Sequence, residues 1–123
     1  MFEMDHVAIA TRDIPGTVQF YVDTFKATVL YADKTWAFLR IGQGKLALVS
    51  PEQHPPHIAL RVDLPALQTA AANAGLPIDK HRDGTQGIYL KDPAGNVLEL
   101  ICYPPGGTAY DQKAAGGEEV SKT

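Results

Sequence analysis

The string "HVAIATRDIP" at His6 returns as "HIALRVDLP" at His57, within a chain of only 123 residues. The echo continues on both sides of each string. In the first copy "DHVAIA" has strand character, and the period then changes: Ile14, Val18, Val22 and Phe25 recur at helical spacing while Gln19, Asp23 and Lys26 take the other face. Asp13 is a natural N-cap, and Pro15 suits a first turn whose N–H groups have no intrahelical partner. Apolar strands are expected at Thr28 to Asp33, Trp36 to Ile41 and Lys45 to Val49, with "DKT" and "GQG" as the turns between them. The second copy keeps this order. "HIALRV" leads into a helix capped by Asp63, started by Pro65, striped by Leu67, Ala71 and Ala74, and stopped at Gly75. Strands are expected at Ile78 to Arg82, Gly87 to Lys91 and Val97 to Tyr103, with "DPAGN" as the last hairpin turn.

Each copy therefore reads βαβββ, and a tandem duplication accounts for both. About 50 residues are too few to enclose a core alone, whereas a chain of this length buries roughly two thirds of its unfolded surface. The expectation is one α+β domain over residues 1–104, with two tandem βαβββ modules (about 4–50 and 55–104) forming a cupped mixed sheet and any site lying in the cup. Residues 105–123, rich in Gly, Pro and polar side chains, read as a flexible tail.

Composition narrows the function. A net charge of −3 gives no basic footprint for nucleic acid. Runs such as "KLALVS" fall well short of the roughly 20 residues a bilayer span needs, and no leader precedes Asp5, so no membrane partner is expected. Cys102 is the single cysteine, which excludes an internal disulfide and fits a cytoplasmic location.

Strand alternation puts His57 on one face with Ala59 and Arg61, and His6 on one face with Met4 and Ala8. In "VLELICY" both faces are apolar, so an ionised Glu99 is costly unless it is paired with a group such as Arg61 or Lys91, protonated, or bound to a cation. Two imidazoles and one carboxylate match a facial triad with open coordination positions. Nitrogen and oxygen donors without thiolate suit one divalent Fe, Mn, Ni or Zn, while a closed structural zinc site would want four protein ligands. The metal ligands expected here are His6, His57 and Glu99.

The segments "DHVAIATRDIPGTVQFYVDTF", "PHIALRVD" and "YLKDPAGNVLELICYP", in this order and nearly spanning residues 4–104, resemble the vicinal oxygen chelate superfamily of glyoxalases, fosfomycin- and bleomycin-resistance proteins and extradiol dioxygenases. The resemblance implies a glyoxalase-like fold and a homodimer. It also implies a metal-dependent enzyme acting on a small-molecule substrate that chelates through neighbouring oxygens. Its alternative within the family is a drug-binding module without catalysis. Glyoxalase I-like members use a fourth ligand on the last strand of the first module; "KLALVS" has no acid there, and Glu52 follows only after Pro51. Tyr89, ten residues before Glu99, stands where two branches of the family carry an active-site tyrosine, and His81 lies one residue out of register with an acid/base histidine of the extradiol enzymes. Tyr89 and His81 are thus the expected catalytic residues. Lys91 and Arg61 are candidates to meet substrate charge, Trp36 and Tyr103 to stack on a flat substrate. The serines and trailing arginine that grip a phosphonate in fosfomycin enzymes find no counterpart, since Asp83, Gly87 and "PPGG" occupy those regions.

Overall fold

The structure, a computed structural model, describes residues 1–81 and 83–108. The chain falls into two compact units: one contains His6–Pro56, the other joins Met1–Asp5 to His57–Thr108.

In the first unit, the part of β1 (Glu3–Ala10) from His6 onward is followed by α1 (Ile14–Phe25), β2 (Thr28–Ala32), β3 (Trp36–Ile41) and β4 (Gly44–Val49), in sheet order β2-β3-β4-β1. β1 runs parallel to β4, with Val7 opposite Leu46 and Ile9 opposite Leu48, and the other pairs are antiparallel. The period of two divides the side chains cleanly. Ile9, Ala37, Leu39 and Leu48 face α1 and meet Ile14, Val18, Tyr21 and Val22, while Ala8, Leu30, Phe38, Ala47 and Val49 form a separate cluster with Tyr31 and Trp36. Asp13 caps α1 by accepting from the Gly16 amide at 3.0 Å. A Cβ at Gly16 would stand 2.2 Å from Asp13 Oδ2, so a side chain there would displace the capping carboxylate from this position. One expectation shifts at the end of this helix. Phe25 does not join the core stripe; it packs on Tyr21 and Phe20, with ring centroids 5.9 and 6.0 Å away, and stays 53% exposed.

The second unit repeats the plan with β5 (His57–Arg61), α2 (Leu64–Ala74), β6 (Asp79–Lys80), β7 (Gln86–Lys91) and β8 (Val97–Cys102), in sheet order β5-β8-β7-β6. β5 is parallel to β8, with Ala59 opposite Glu99. Asp63 caps α2 through the Ala66 amide at 2.9 Å, and Gly75 ends it at φ 69°. Leu67 and Ala71 press onto Val62, Ile88, Leu100 and Cys102, so Cys102 is a buried, helix-facing thiol, with burial pushing its pKa up.

The largest departure from the sequence reading is at β6; the other strands begin and end within two residues of the expected positions. β6 has two residues rather than the five of 78–82, because the chain after Lys80 closes a turn: the Gly84 amide donates to the His81 carbonyl, and the Thr85 amide to Asp83 Oδ1. The tail expected from 105 onward lies mostly outside the described residues. Within 105–108, Pro105 and Gly106 form a turn and Thr108 is buried. Among the described residues no helix is long and apolar enough to cross a membrane.

Candidate metal centre

The second unit brings together two of the expected ligands. His57 opens β5 and Glu99 lies on β8; both are buried, and His57 Nε2 stands 3.4 Å from Glu99 Oε1. Tyr89 is directly opposite Glu99 in the β7–β8 register, and its ring meets that of His57 edge-on at 5.5 Å. Burial, and next the negative charges of Glu99 and Asp79, push the Tyr89 phenol up to about 12. It is therefore a phenol, and a hydrogen-bond donor, throughout the physiological range.

Gly87 is required at this place. A Cβ there would meet the Leu100 carbonyl oxygen at 2.7 Å, and would also lie 3.5 Å from Glu99 Oε2 and 3.6 Å from His81 Cε1. The missing side chain lets the neighbouring backbone, the Glu99 carboxylate and the His81 imidazole close in around this point. His81 is itself held in one tautomer. Thr85 Oγ1, in a buried residue, donates to Asp83 Oδ1 at 2.7 Å, since a carboxylate can only accept. The same oxygen lies 2.8 Å from His81 Nδ1 and must accept from it, so the neutral ring keeps its lone pair on Nε2.

His6 is half-buried on β1 and packs edge-on against Phe38, with centroids 5.4 Å apart. Bonds of about 2.0–2.2 Å to a divalent ion place adjacent donors roughly 3 Å apart in octahedral and about 3.4 Å apart in tetrahedral geometry. The His57 imidazole and the Glu99 carboxylate, 3.4 Å apart, have the donor chemistry and spacing of two adjacent ligands of such an ion.

The remaining expected residues occupy other settings. Arg61 donates from Nε and Nη2 to Asp5 Oδ1 at 3.2 and 3.1 Å, lies 4.0 Å over the Tyr103 ring, and with Tyr103 borders a recess of about 670 Å³. Trp36 stacks on Tyr31 at 4.9 Å, and Lys91 is exposed at the end of β7. Glu52 is turned to Arg12, at 2.8 Å, and to the Ser50 hydroxyl, at 3.0 Å. Sequence reasoning passed over Asp5 and Thr85. For Asp5 a signal existed: an acid inside an apolar strand, directly before a candidate ligand.

A family model described as Glyoxalase/Bleomycin resistance protein/Dioxygenase superfamily matches residues 3–100. The metallothiol transferase FosB of Staphylococcus epidermidis is 26% identical, the match covering 79% of each protein. Methylmalonyl-CoA epimerase from Mycobacterium tuberculosis aligns with a TM-score of 0.67 at 17% identity, over 85% of this chain and 89% of that one. A superfamily member from Vibrio splendidus 12B01 gives 0.64 at 14% identity, over 83% and 99%. At such identities the two structures establish the shared fold.

Proposed function

The chain belongs to the glyoxalase/bleomycin resistance protein/dioxygenase superfamily, and from that premise we propose that it is a divalent-metal-dependent enzyme whose ion is held by His6, His57 and Glu99. The observation that carries the reading is the buried His57–Glu99 pair. A carboxylate taken out of water is retained only where a cation or donors compensate it, and two imidazoles and one oxygen donor are what Fe, Mn, Ni or Zn accept. The relative named as a metallothiol transferase supports a metal-dependent reaction over mere ligand storage.

A bound divalent ion supplies Lewis acidity to neighbouring oxygens of a small substrate. The chain's own groups do the rest. Tyr89, kept protonated, donates a hydrogen bond to an oxygen on which negative charge grows. His81 exchanges a proton at Nε2, with Thr85 and Asp83 holding the opposite edge of its ring. Lys91 meets substrate charge at the end of β7. This division of labour suits transfer to an electrophile or proton movement beside a carbonyl.

Protein purified without chelator tests the reading. About one metal per chain by elemental analysis is expected, absent in His57→Ala. Mn²⁺ at 100 times its Kd adds about 2.7 kcal/mol, roughly a 10 °C rise in Tm for a chain of this size. Neither metal nor shift would leave the His57–Glu99 pair as a self-sufficient contact and favour a drug-binding module.

A further inference from the structure

We infer that Arg40 and Lys45 of the first unit form a binding site for an oxyanion, a carboxylate or phosphate group carried by the small substrate. The inference rests on the functional reading above only in assigning that anion to the substrate; the site is built from the first unit's own residues.

The strand register supplies one observation. Arg40 on β3 lies directly opposite Lys45 on β4, and Thr28 on β2 lies opposite Arg40 on its other side. Strand alternation puts Arg40 on the face of Phe38, away from α1, and Lys45 Nζ stands 5.5 Å over the Phe38 ring. Both cations therefore belong to one face. Like charges directly opposite on neighbouring strands are destabilising, and an anion between them turns that repulsion into attraction.

The guanidinium supplies the other. Arg40 is half-buried, and among the described residues it reaches only neutral acceptors: Nη1 donates to the Gly42 carbonyl at 3.3 Å and Nη2 to the Thr28 hydroxyl at 3.5 Å. Both bonds exceed the usual range of about 2.7–3.2 Å. Its Nε is buried without a hydrogen-bond partner, a costly state for a donor on a charged group. An oxyanion on this face supplies the acceptors, the guanidinium turning to present the planar fork that matches two oxygens of a carboxylate or phosphate. His6 packs edge-on against the same Phe38 ring at 5.4 Å, so anion and imidazole share a neighbour.

Metal-free, full-length protein titrated with inorganic phosphate and, separately, with acetate, at constant ionic strength in chloride, tests the site through the Arg40 Nε–H resonance. Saturable movement of that resonance is expected, and the tighter probe assigns a phosphoryl or a carboxylate group. Arg40→Gln and Lys45→Met should each bind at least about tenfold more weakly, the loss of one charge-assisted bond. Arg12→Gln, which removes an exposed cation paired with Glu52, should bind like wild type and so separates a built site from net charge. If Arg40→Gln fails to fold, Lys45→Met decides alone. No saturation by either probe, or wild-type affinity in the folded Arg40 and Lys45 variants, would overturn the site and leave the metal reading standing. Saturable anion binding by a protein that takes up no metal would support the site and overturn the metal reading alone.

Discussion

The two units share strand order, helix placement and even the Asp-x-Pro helix start, yet they furnish the sheet face away from the helix with opposite chemistry. In the first unit that face carries Ala8, Leu30, Phe38 and Ala47, joined by Trp36 and Tyr31. In the second it carries His57, Glu99, Tyr89 and the bare backbone of Gly87. Both keep the histidine at the start of the repeat. A duplicated frame lets one copy bear most of the buried polar groups, while its twin offers His6 against an otherwise apolar wall.

The sharpest way to break the comparison is Glu99→Gln, which keeps the shape and removes the charge. On the proposed reading this removes a ligand, so Mn²⁺ binding by calorimetry should fall at least about 1,000-fold, roughly 4 kcal/mol, with the fold intact by circular dichroism. Phe38→Ala attacks the apolar wall. It should cost about 3 kcal/mol in urea unfolding, as expected for emptying a buried aromatic site. Gly87→Ala forces a methyl against the Leu100 carbonyl at 2.7 Å and should cost roughly 2 kcal/mol, with a fall in turnover larger than the change in metal affinity.

The helix ends allow a finer comparison. α2 stops at Gly75 with φ 69°, whereas α1 stops at Lys26 with φ 60°, the same left-handed turn made by a residue that has a side chain. Lys26→Gly should therefore stabilise by about 1 kcal/mol and Gly75→Ala destabilise by a similar amount, both measurable by thermal unfolding. The smallest effect is at Asp33. Its carboxylate accepts from Tyr31 and, more weakly, from Thr35 and Trp36, and these bonds lower its pKa from 3.8 to about 2. A lowered carboxylate contributes stability above its unfolded value and loses it as pH falls through the folded one. Asp33→Asn should thus be less stable than wild type at pH 7, with the gap closing between about pH 4 and 2.

The topology was legible because it is written in local terms. Asp13 and Asp63 cap, Pro15 and Pro65 start, and the period of the apolar residues switches after each cap. The two histidines stood out through repeat equivalence and Glu99 through its apolar surroundings. What escaped depends on partners remote in sequence or on backbone angles. Nothing in "DHVAIA" tells that Asp5 will meet residues 56 and 98 positions away. The shortness of β6 follows from side-chain bonds of Asp83 that override strand propensity, and Lys26 adopts a left-handed turn because tertiary packing needs the reversal there.

Gly87 also bears on attempts to redesign the protein. The close passage of β7 along β8 beside Glu99 exists because a single hydrogen stands where other residues carry carbon, and that hydrogen faces a main-chain carbonyl that no neighbouring mutation can remove. Libraries meant to alter the accepted molecule should hold position 87 constant and vary 89 and 91, whose side chains can be resized without rebuilding the strand beneath them.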